Sequence, residues 1–290
     1  MAIHILTDSS HYLEPKITQA LDLHVLPLSL NLDGASYRER EDITTSELFD
    51  ILKKPNVGWP VTSAITTGMM QAAFDELTSE PQDEVVGIFM SAGTSATVDV
   101  ARSVAQSHPA QARIHVVDSL VLCAPLALTL ITASKLVREG PSAPQIASVA
   151  RRMGEEMRVF FTVDTLEYLH RGGRMRGSQA LLGSMLRIKP VLYLKDGRIE
   201  LWKKGRGKRH ALNLMMEDAI RSIPPGEAVL AIVGDAHAPE VKASMTQTLE
   251  ERLNVIQMVQ AEISPVVATH VGPGCVVFTL VPAVAASPSV

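Results

Sequence analysis

Three short apolar runs in the first half of the chain end in the same way, in a small polar cluster. Ile3-His4-Ile5-Leu6 leads into Thr7-Asp8-Ser9-Ser10, Val85 to Met90 into Ser91-Ala92-Gly93, and Ile114 to Val117 into Asp118-Ser119. Runs this short and this continuously apolar suit strands buried on both faces, the condition of a parallel sheet covered by helices. The covering helices are predicted over Leu13 to Leu21, Ala96 to Gln106 and Ala124 to Arg138, where apolar residues recur at spacings of three and four. Strand, polar turn and helix in repetition predict an α/β layer. Ligands of such sheets bind beyond the carboxyl ends of the strands, so the polar turns mark where a site belongs.

The rhythm changes after about residue 150, beyond Gly140-Pro141-Ser142-Ala143-Pro144 and a predicted helix from Gln145 to Met157. Strands are expected at Arg158 to Val163, Pro190 to Lys195 and Arg198 to Lys203. The last two flank Asp196-Gly197, a pair that tolerates the positive φ of a tight hairpin turn. Helices over Ala211 to Arg221 and Pro239 to Leu253, with strands at Val229 to Val233 and Val276 to Val281, complete an α+β pattern with a largely antiparallel sheet. The expected division is an N-terminal α/β domain over 1–158, a C-terminal α+β domain over 159–282, and a flexible tail at 283–290 rich in Ala, Ser and Pro.

Composition removes several function classes. A chain of 290 residues, 46% of them hydrophobic, can bury a large core, and 27 Lys+Arg against 31 Asp+Glu is too even for a protein that wraps a nucleic-acid backbone. Cys123 and Cys275 are far apart in sequence and form neither a disulfide framework nor a metal cluster, so no metal site is expected. The start MAIHILTDSS lacks a basic segment followed by a long apolar one, and the longest apolar stretch, Val116 to Ile131, is broken by Asp118, Ser119 and Pro125. A cytoplasmic protein without a membrane span is expected.

Four polar clusters can carry function. Thr7 to Ser10 and Val61-Thr62-Ser63-Ala64-Ile65-Thr66-Thr67-Gly68 place short hydroxyls near expected helix starts, where they either cap free N–H groups or meet a ligand. Ser91-Ala92-Gly93-Thr94-Ser95-Ala96-Thr97 joins a strand to a helix, so backbone N–H groups and hydroxyls can converge there on a carboxylate or phosphate. It has neither the Gly-Lys of a phosphate-binding loop nor the glycines of a dinucleotide turn. In Thr269-His270-Val271-Gly272-Pro273-Gly274 an imidazole beside a stiff turn can donate to an oxyanion or serve packing. Basic residues gather in Tyr168-Leu169-His170-Arg171-Gly172-Gly173-Arg174-Met175-Arg176 and in Lys203 to Arg209, where five of seven residues are cationic. These are solvated loops, guanidinium clamps on an anion, or a docking face for an acidic partner.

Taken in order, these motifs resemble the DegV family over nearly the whole chain. Its Thr-Asp-Ser-Ser is matched at Thr7 to Ser10, its Thr-Ser-Gln-Pro-Ser at Thr62 to Thr66, and its Ser-Ser-x-Leu-Ser-Gly-Thr at Ser91 to Thr97. Its Asp-Ser falls at Asp118-Ser119, its Tyr-Leu-x-x-Gly-Gly-Arg at Tyr168 to Arg174, its Lys-Pro at Lys189-Pro190 and its His-x-Gly-Pro-Gly at His270 to Gly274. Departures are Ala64-Ile65 for Gln-Pro, Ala92 for Ser, Thr94 for Leu and Ala96 for Gly.

The resemblance implies a two-domain bacterial protein that holds one long-chain fatty acid and has no cofactor or catalytic residue of its own. It further implies that the carboxylate is presented to the ATP-binding subunit of a fatty acid kinase, which makes the acyl phosphate. By position, Thr62 and Ser95, with Ser63 and Thr97 of the same motifs and His270, would bind the head group. Arg174 and Arg206 resemble the family's basic residues, either near that end or at the kinase-docking surface. Met69, Met70, Met90, Met153, Met157, Met175 and Met185 offer flexible walls for a tail or ordinary core filling.

Two other classes are weighed. A hydrolase would use Ser95 as nucleophile, His270 as base and Asp8 or Asp118 as orienting acid, although the chain has no Gly-x-Ser-x-Gly elbow. Nucleic-acid recognition through Lys203 to Arg209 is disfavoured because no aromatic platform interleaves with the charges.

Overall fold

The apolar runs and their polar punctuation become the strands and turns of a layered α/β structure, seen in a computed structural model that describes residues 2–175 and 188–288. Arg176 and Met185 lie outside the described residues. In chain order the first part contains β1 (Ile3–Asp8), α1 (Pro15–Ala20), β2 (Leu23–Leu26), β3 (Ser29–Leu32), β4 (Ala35–Arg38), α2 (Thr45–Leu52), β5 (Val61–Ser63) and α3 (Thr67–Leu77). Then come β6 (Glu84–Phe89), α4 (Thr97–Ser107), β7 (Ile114–Asp118), α5 (Ala124–Glu139) and α6 (Ala143–Glu156). The remainder holds β8 (Arg158–Thr162), α7 (Glu167–Arg171), β9 (Ile188–Lys195), β10 (Arg198–Arg206), α8 (Lys208–Arg221), β11 (Ala228–Asp235), α9 (Pro239–Arg252), β12 (Asn254–Glu262), α10 (Pro265–Val271) and β13 (Val276–Pro282).

Strands β2-β1-β6-β7 form a sheet in which every pairing is parallel. The second sheet runs β10-β9-β8-β13-β11-β12 and is antiparallel except between β11 and β12. Alternation explains why its central strands read as unbroken apolar runs. Val159 and Phe161 of β8 face one core and Phe160 the other, and Leu230 and Ile232 of β11 are likewise opposed to Val229 and Ala231. Helices α8 and α9 cover one face, while α5 and α6 lie between this sheet and the parallel one. Helix α5 touches β1 on one side and β11, β12 and β13 on the other, so even its serine and threonines are enclosed. It ends where Gly140 takes φ +97°, a left-handed conformation suited to glycine.

The structure adds a small antiparallel sheet, β4-β3-β5, beyond the strands expected from the sequence. Its hairpin turn is Asp33-Gly34, with φ +50° and +83°, the same signal used for Asp196-Gly197. The strands are short and half-exposed, so little hydrophobic periodicity marks them. The structure also adds α10 over Pro265–Val271, capped by the Ser264 hydroxyl accepting from Val267 N–H, before the Gly-Pro-Gly turn that leads into β13. The tail also differs from a loose end: Ala283–Ala286 forms a 3-10 turn, Ala285 is buried, and Arg152 donates to its carbonyl at 3.2 Å. Among the described residues no helix is long and apolar enough to cross a membrane.

The β9–β10 hairpin reaches across to the parallel sheet. Ser91 Oγ after β6 donates to the Gly197 carbonyl at 2.8 Å, and a Cβ on Gly197 would stand 2.1 Å from that oxygen. With φ also at +75°, Gly197→Ala is expected to destabilise the fold by about 1–3 kcal/mol, read as a lowered melting temperature in calorimetry.

Candidate functional site

A cavity of about 130 Å³ opens beside the carboxyl ends of the parallel strands. Thr62 and Ser63 of β5, Thr94 and Ser95 after β6, Arg174 and His270 are its polar lining, with Met90 beside them. Val266, Val267 and Val271 of α10, with Leu28, Leu122 and Ile199, give it an apolar one. An apolar space of about 40 Å³ adjoins it, sharing the walls Leu122, Ile199, Val267 and Val271 and bounded further by Phe161, Leu194, Val277, Cys123 and Cys275. The two cysteines, distant in sequence, thus share one lining. Burial pushes the Cys123 thiol up to about 12, and that of Cys275 upward as well, so both are held as neutral apolar groups.

His270 stands in the last turn of α10, with Nε2 2.9 Å from Thr62 Oγ1. Burial, helped by the Arg174 charge, lowers its pKa to about 4, so the ring is neutral at physiological pH. Its Nδ1 is buried without a hydrogen-bond partner among the described residues and lies against Gly172, where a Cβ would come within 2.1 Å of it. A buried N–H without an acceptor is costlier than a bare ring nitrogen facing a C–H, so we assign the proton to Nε2. Nε2–H then donates to Thr62 Oγ1, and the Thr62 hydroxyl proton is left to point at an anion.

Ser95 lines the same cavity, its Oγ 3.0 Å from Thr97 Oγ1 and accepting from Thr97 N–H at 3.3 Å. Arg174 sits on the wall and donates to the carbonyls of Gly172 at 2.7 Å and Thr94 at 3.3 Å. An anion entering here would meet hydroxyls, a neutral imidazole donor network and one guanidinium.

Thr62, Ser63, Ser95, Arg174 and His270 all border the cavity. Thr97 does not: it is fully enclosed behind Ser95 and orients that hydroxyl. Ser63 is at the exposed rim, accepting from Asn31 Nδ2 at 3.3 Å. Arg206 lies apart from the cavity, exposed at the end of the edge strand β10. The backbone cradle expected over Ser91 to Thr97 is largely occupied from within. Ser91 accepts from Gly93, Thr94 and Ser95, and the Asp118 carboxylate accepts from Ala92, so hydroxyls and not N–H groups face the cavity. Of the methionines, Met90 borders the cavity while Met70, Met153, Met157 and Met175 are core.

The arrangement of a hydrolase is not assembled. Among the described residues Ser95 bonds to Thr97, His270 bonds to Thr62 through one nitrogen and to none through the other, Asp118 holds the loop N–H groups of Ala92 and Leu120, and Asp8 holds Met90 and Ser10. Among the described residues no group of three or more His, Cys, Asp or Glu is placed to hold a metal ion. The sequence reading missed the α10 valines and Leu122, Ile199 and Phe161, which line the apolar side from distant segments. The Pro265-Val266-Val267 run, directly before His270, was the one available hint.

The family model described as "Uncharacterised protein, DegV family" matches residues 2–283. The chain belongs to the DegV family. A DegV domain-containing protein of Deinococcus radiodurans is 32% identical over 287 residues, covering 97% of this chain and 99% of its own length. One from Listeria innocua is 30% identical over 277 residues, covering 96% and 97%. Among solved structures, a DegV family protein from Thermus thermophilus, described by its fatty acid binding, superposes with a TM-score of 0.91 at 31% identity, covering 97% of this chain and all of its own. DegV of Bacillus subtilis, described as a fatty acid binding protein, gives 0.86 at 26% identity with 97% and 99% covered. A stearic-acid-binding protein of Eubacterium ventriosum gives 0.85 at 25%, with 97% and 98% covered.

Within this DegV site the Gly172 contact gives a direct test of the imidazole's placement. Gly172→Ala is expected to push the ring off Thr62. The His270 ring ¹⁵N shifts should then change, while the backbone amide spectrum of the rest of the protein is preserved. In the parent those shifts should stay those of a neutral, Nε2-protonated ring down to about pH 5.

Proposed function

We propose that this chain binds one long-chain fatty acid in the cavity between its two domains and presents the carboxylate to the ATP-binding subunit of a separate fatty acid kinase, which forms the acyl phosphate. The observation that carries the reading is the convergence of Thr62, Ser95 and His270 on one cavity that is also lined by Leu28, Leu122, Ile199 and the α10 valines. Fatty acid binding described for DegV structures from Thermus thermophilus and Bacillus subtilis supports it.

In this reading the carboxylate accepts from the Thr62 and Ser95 hydroxyls. His270 orients the first, Thr97 the second, and Arg174 supplies positive charge at the wall. A neutral His270 suits the role, because it fixes a hydroxyl without competing for the acid's proton. The tail follows the apolar side, each buried methylene contributing roughly 0.8 kcal/mol. To reach the space beside Cys123 and Cys275 it must part Leu122, Ile199, Val267 and Val271, which stand between. The chain has no catalytic step of its own: it holds the attacking carboxylate oxygen, and the kinase supplies ATP and metal. The exposed position of Arg206 on an edge strand supports a docking role for it, and the place of Arg174 on the cavity wall a head-group role. We take residues 1–158 and 159–282 as the two domains, in a bacterial cytoplasm whose reducing state suits two free thiols.

Protein expressed in a bacterial host should carry a mass of fatty-acid size in native mass spectrometry. Ser95→Ala, which removes a hydrogen bond to a charged group, should bind a long-chain fatty acid about 10- to 100-fold more weakly with the fold intact. Undiminished lipid in that variant would remove Ser95 from the head-group site. Arg206→Ala should retain the lipid and lose acyl-phosphate formation with the kinase. Equal loss of lipid would instead place Arg206 in binding.

A further inference from the structure

Glu39 is completely enclosed, yet it is not part of the cavity wall. It directly follows β4, and its backbone N–H donates to the Leu28 carbonyl at 3.0 Å. One carboxylate oxygen accepts from Ser9 Oγ at 2.5 Å and the other from the backbone N–H of Val266 at 3.1 Å, across 227 positions of sequence. Ser9 is itself fixed, its Oγ accepting from Leu28 N–H at 2.8 Å. Val266 lies in the first turn of α10, and that helix carries Val266, Val267, His270 and Val271 to the cavity. Nearby, Thr45 Oγ1 donates to the Ile263 carbonyl at 2.6 Å, so the approach to α10 is tied to the same side of the molecule.

We propose that Glu39 is a positioning residue for the site: by holding the Val266 N–H it fixes α10 along its axis and so keeps His270 opposite Thr62. The carboxylate reaches the head-group hydroxyl only through this helix. Because a charge-assisted hydrogen bond is roughly twice as strong as a neutral one, the grip depends on Glu39 being ionised. Burial, with some help from Asp8, pushes its pKa up from 4.5 to about 7. The groups that face it are Asp8 at the end of β1, Tyr12, Arg40 and Cys123, and Arg40 in turn acts on the buried His11. Of these, His11 is held neutral down to about 3 and Cys123 up to about 12, while burial raises Asp8 as it does Glu39, so the comparison with Glu39→Gln, which keeps Asp8, isolates the Glu39 proton.

Two effects of opposite sign follow. The folded chain holds the Glu39 proton more tightly than the unfolded one, so Glu39 lends most stability below its ordinary 4.5, and this is lost as pH rises through about 7. A positioning role predicts the reverse for the site: ligand is held more tightly as Glu39 ionises. A residue that merely stabilised the fold would show both declining together.

The ligand readout rests on the fatty-acid reading above, and the probe is cis-parinaric acid, a fluorescent long-chain fatty acid. Between about pH 6 and pH 8 its affinity for the parent should rise about threefold to tenfold relative to Glu39→Gln, which cannot ionise. Parallel profiles, or a parent that weakens relative to the variant, overturn the proposal. A second measurement needs neither ligand nor variant. In the unliganded parent the Val266 amide and the His270 ring ¹⁵N shifts should share an inflection near pH 7, although the ring itself titrates near 4. A Val266 inflection without one at His270, or none at either, also overturns it. If the parent binds no fatty acid, the functional reading fails while the shared inflection still decides the role of Glu39.

Discussion

A carboxylate shut away from water must be met by donors or give up its charge, and the site is arranged around two such groups, Asp8 and Glu39, with the half-buried Asp118 beside them. Asp8, fully buried at the end of β1, accepts from Met90 N–H at 2.7 Å and from both the hydroxyl and the backbone of Ser10. It thereby binds the ends of two neighbouring strands into one platform. Asp118 does the same one strand further on, taking the Ala92 and Leu120 N–H groups. Glu39 extends the scheme from within the sheet layers to α10. The polar residues that punctuate the strands are thus the devices that turn strand ends into a fixed rim.

On that rim the division of labour is between groups that touch the cavity and groups that aim them. Thr62 and Ser95 present hydroxyls, and His270 and Thr97 orient them from behind or beside. An imidazole enclosed next to a guanidinium stays neutral, which suits it to the second task and unsuits it to counter-charge. Apolar walls from β10, α10 and the segment after β7 complete an enclosure with one wet side and one greasy one.

The parallel strands, most long helices and the second hairpin were legible in the sequence because each carries its own periodicity or turn chemistry. Asp33-Gly34 carried the same turn chemistry as Asp196-Gly197, but the strands beside it are four residues long and partly exposed, too brief to stand out. Helix α10 was hidden because Pro265-Val266-Val267 has the β-branched look of a strand. Its helical state is fixed by the Ser264 cap and by Glu39, a partner invisible at that distance in sequence. For the site, Thr62, Ser95, His270 and Arg174 could be picked out by type and order. Thr97 stands behind Ser95 and off the cavity lining, because sequence adjacency to Ser95 says nothing of which face a side chain turns to.

Helix α5 has a consequence for how the molecule admits a guest. It is the common filling between two sheets, with Leu126, Leu128, Leu130 and Leu136 all buried. Swinging the halves apart like a clam would strip one flank of this helix, and re-wetting even the two leucines that share a flank, Leu126 and Leu130, costs about 3 kcal/mol or more. A guest that enters at the margin around Thr62, Ser95 and Arg174 avoids that cost. The same shared helix couples the melting of the two sheets, since each would lose the cover of one face with the other.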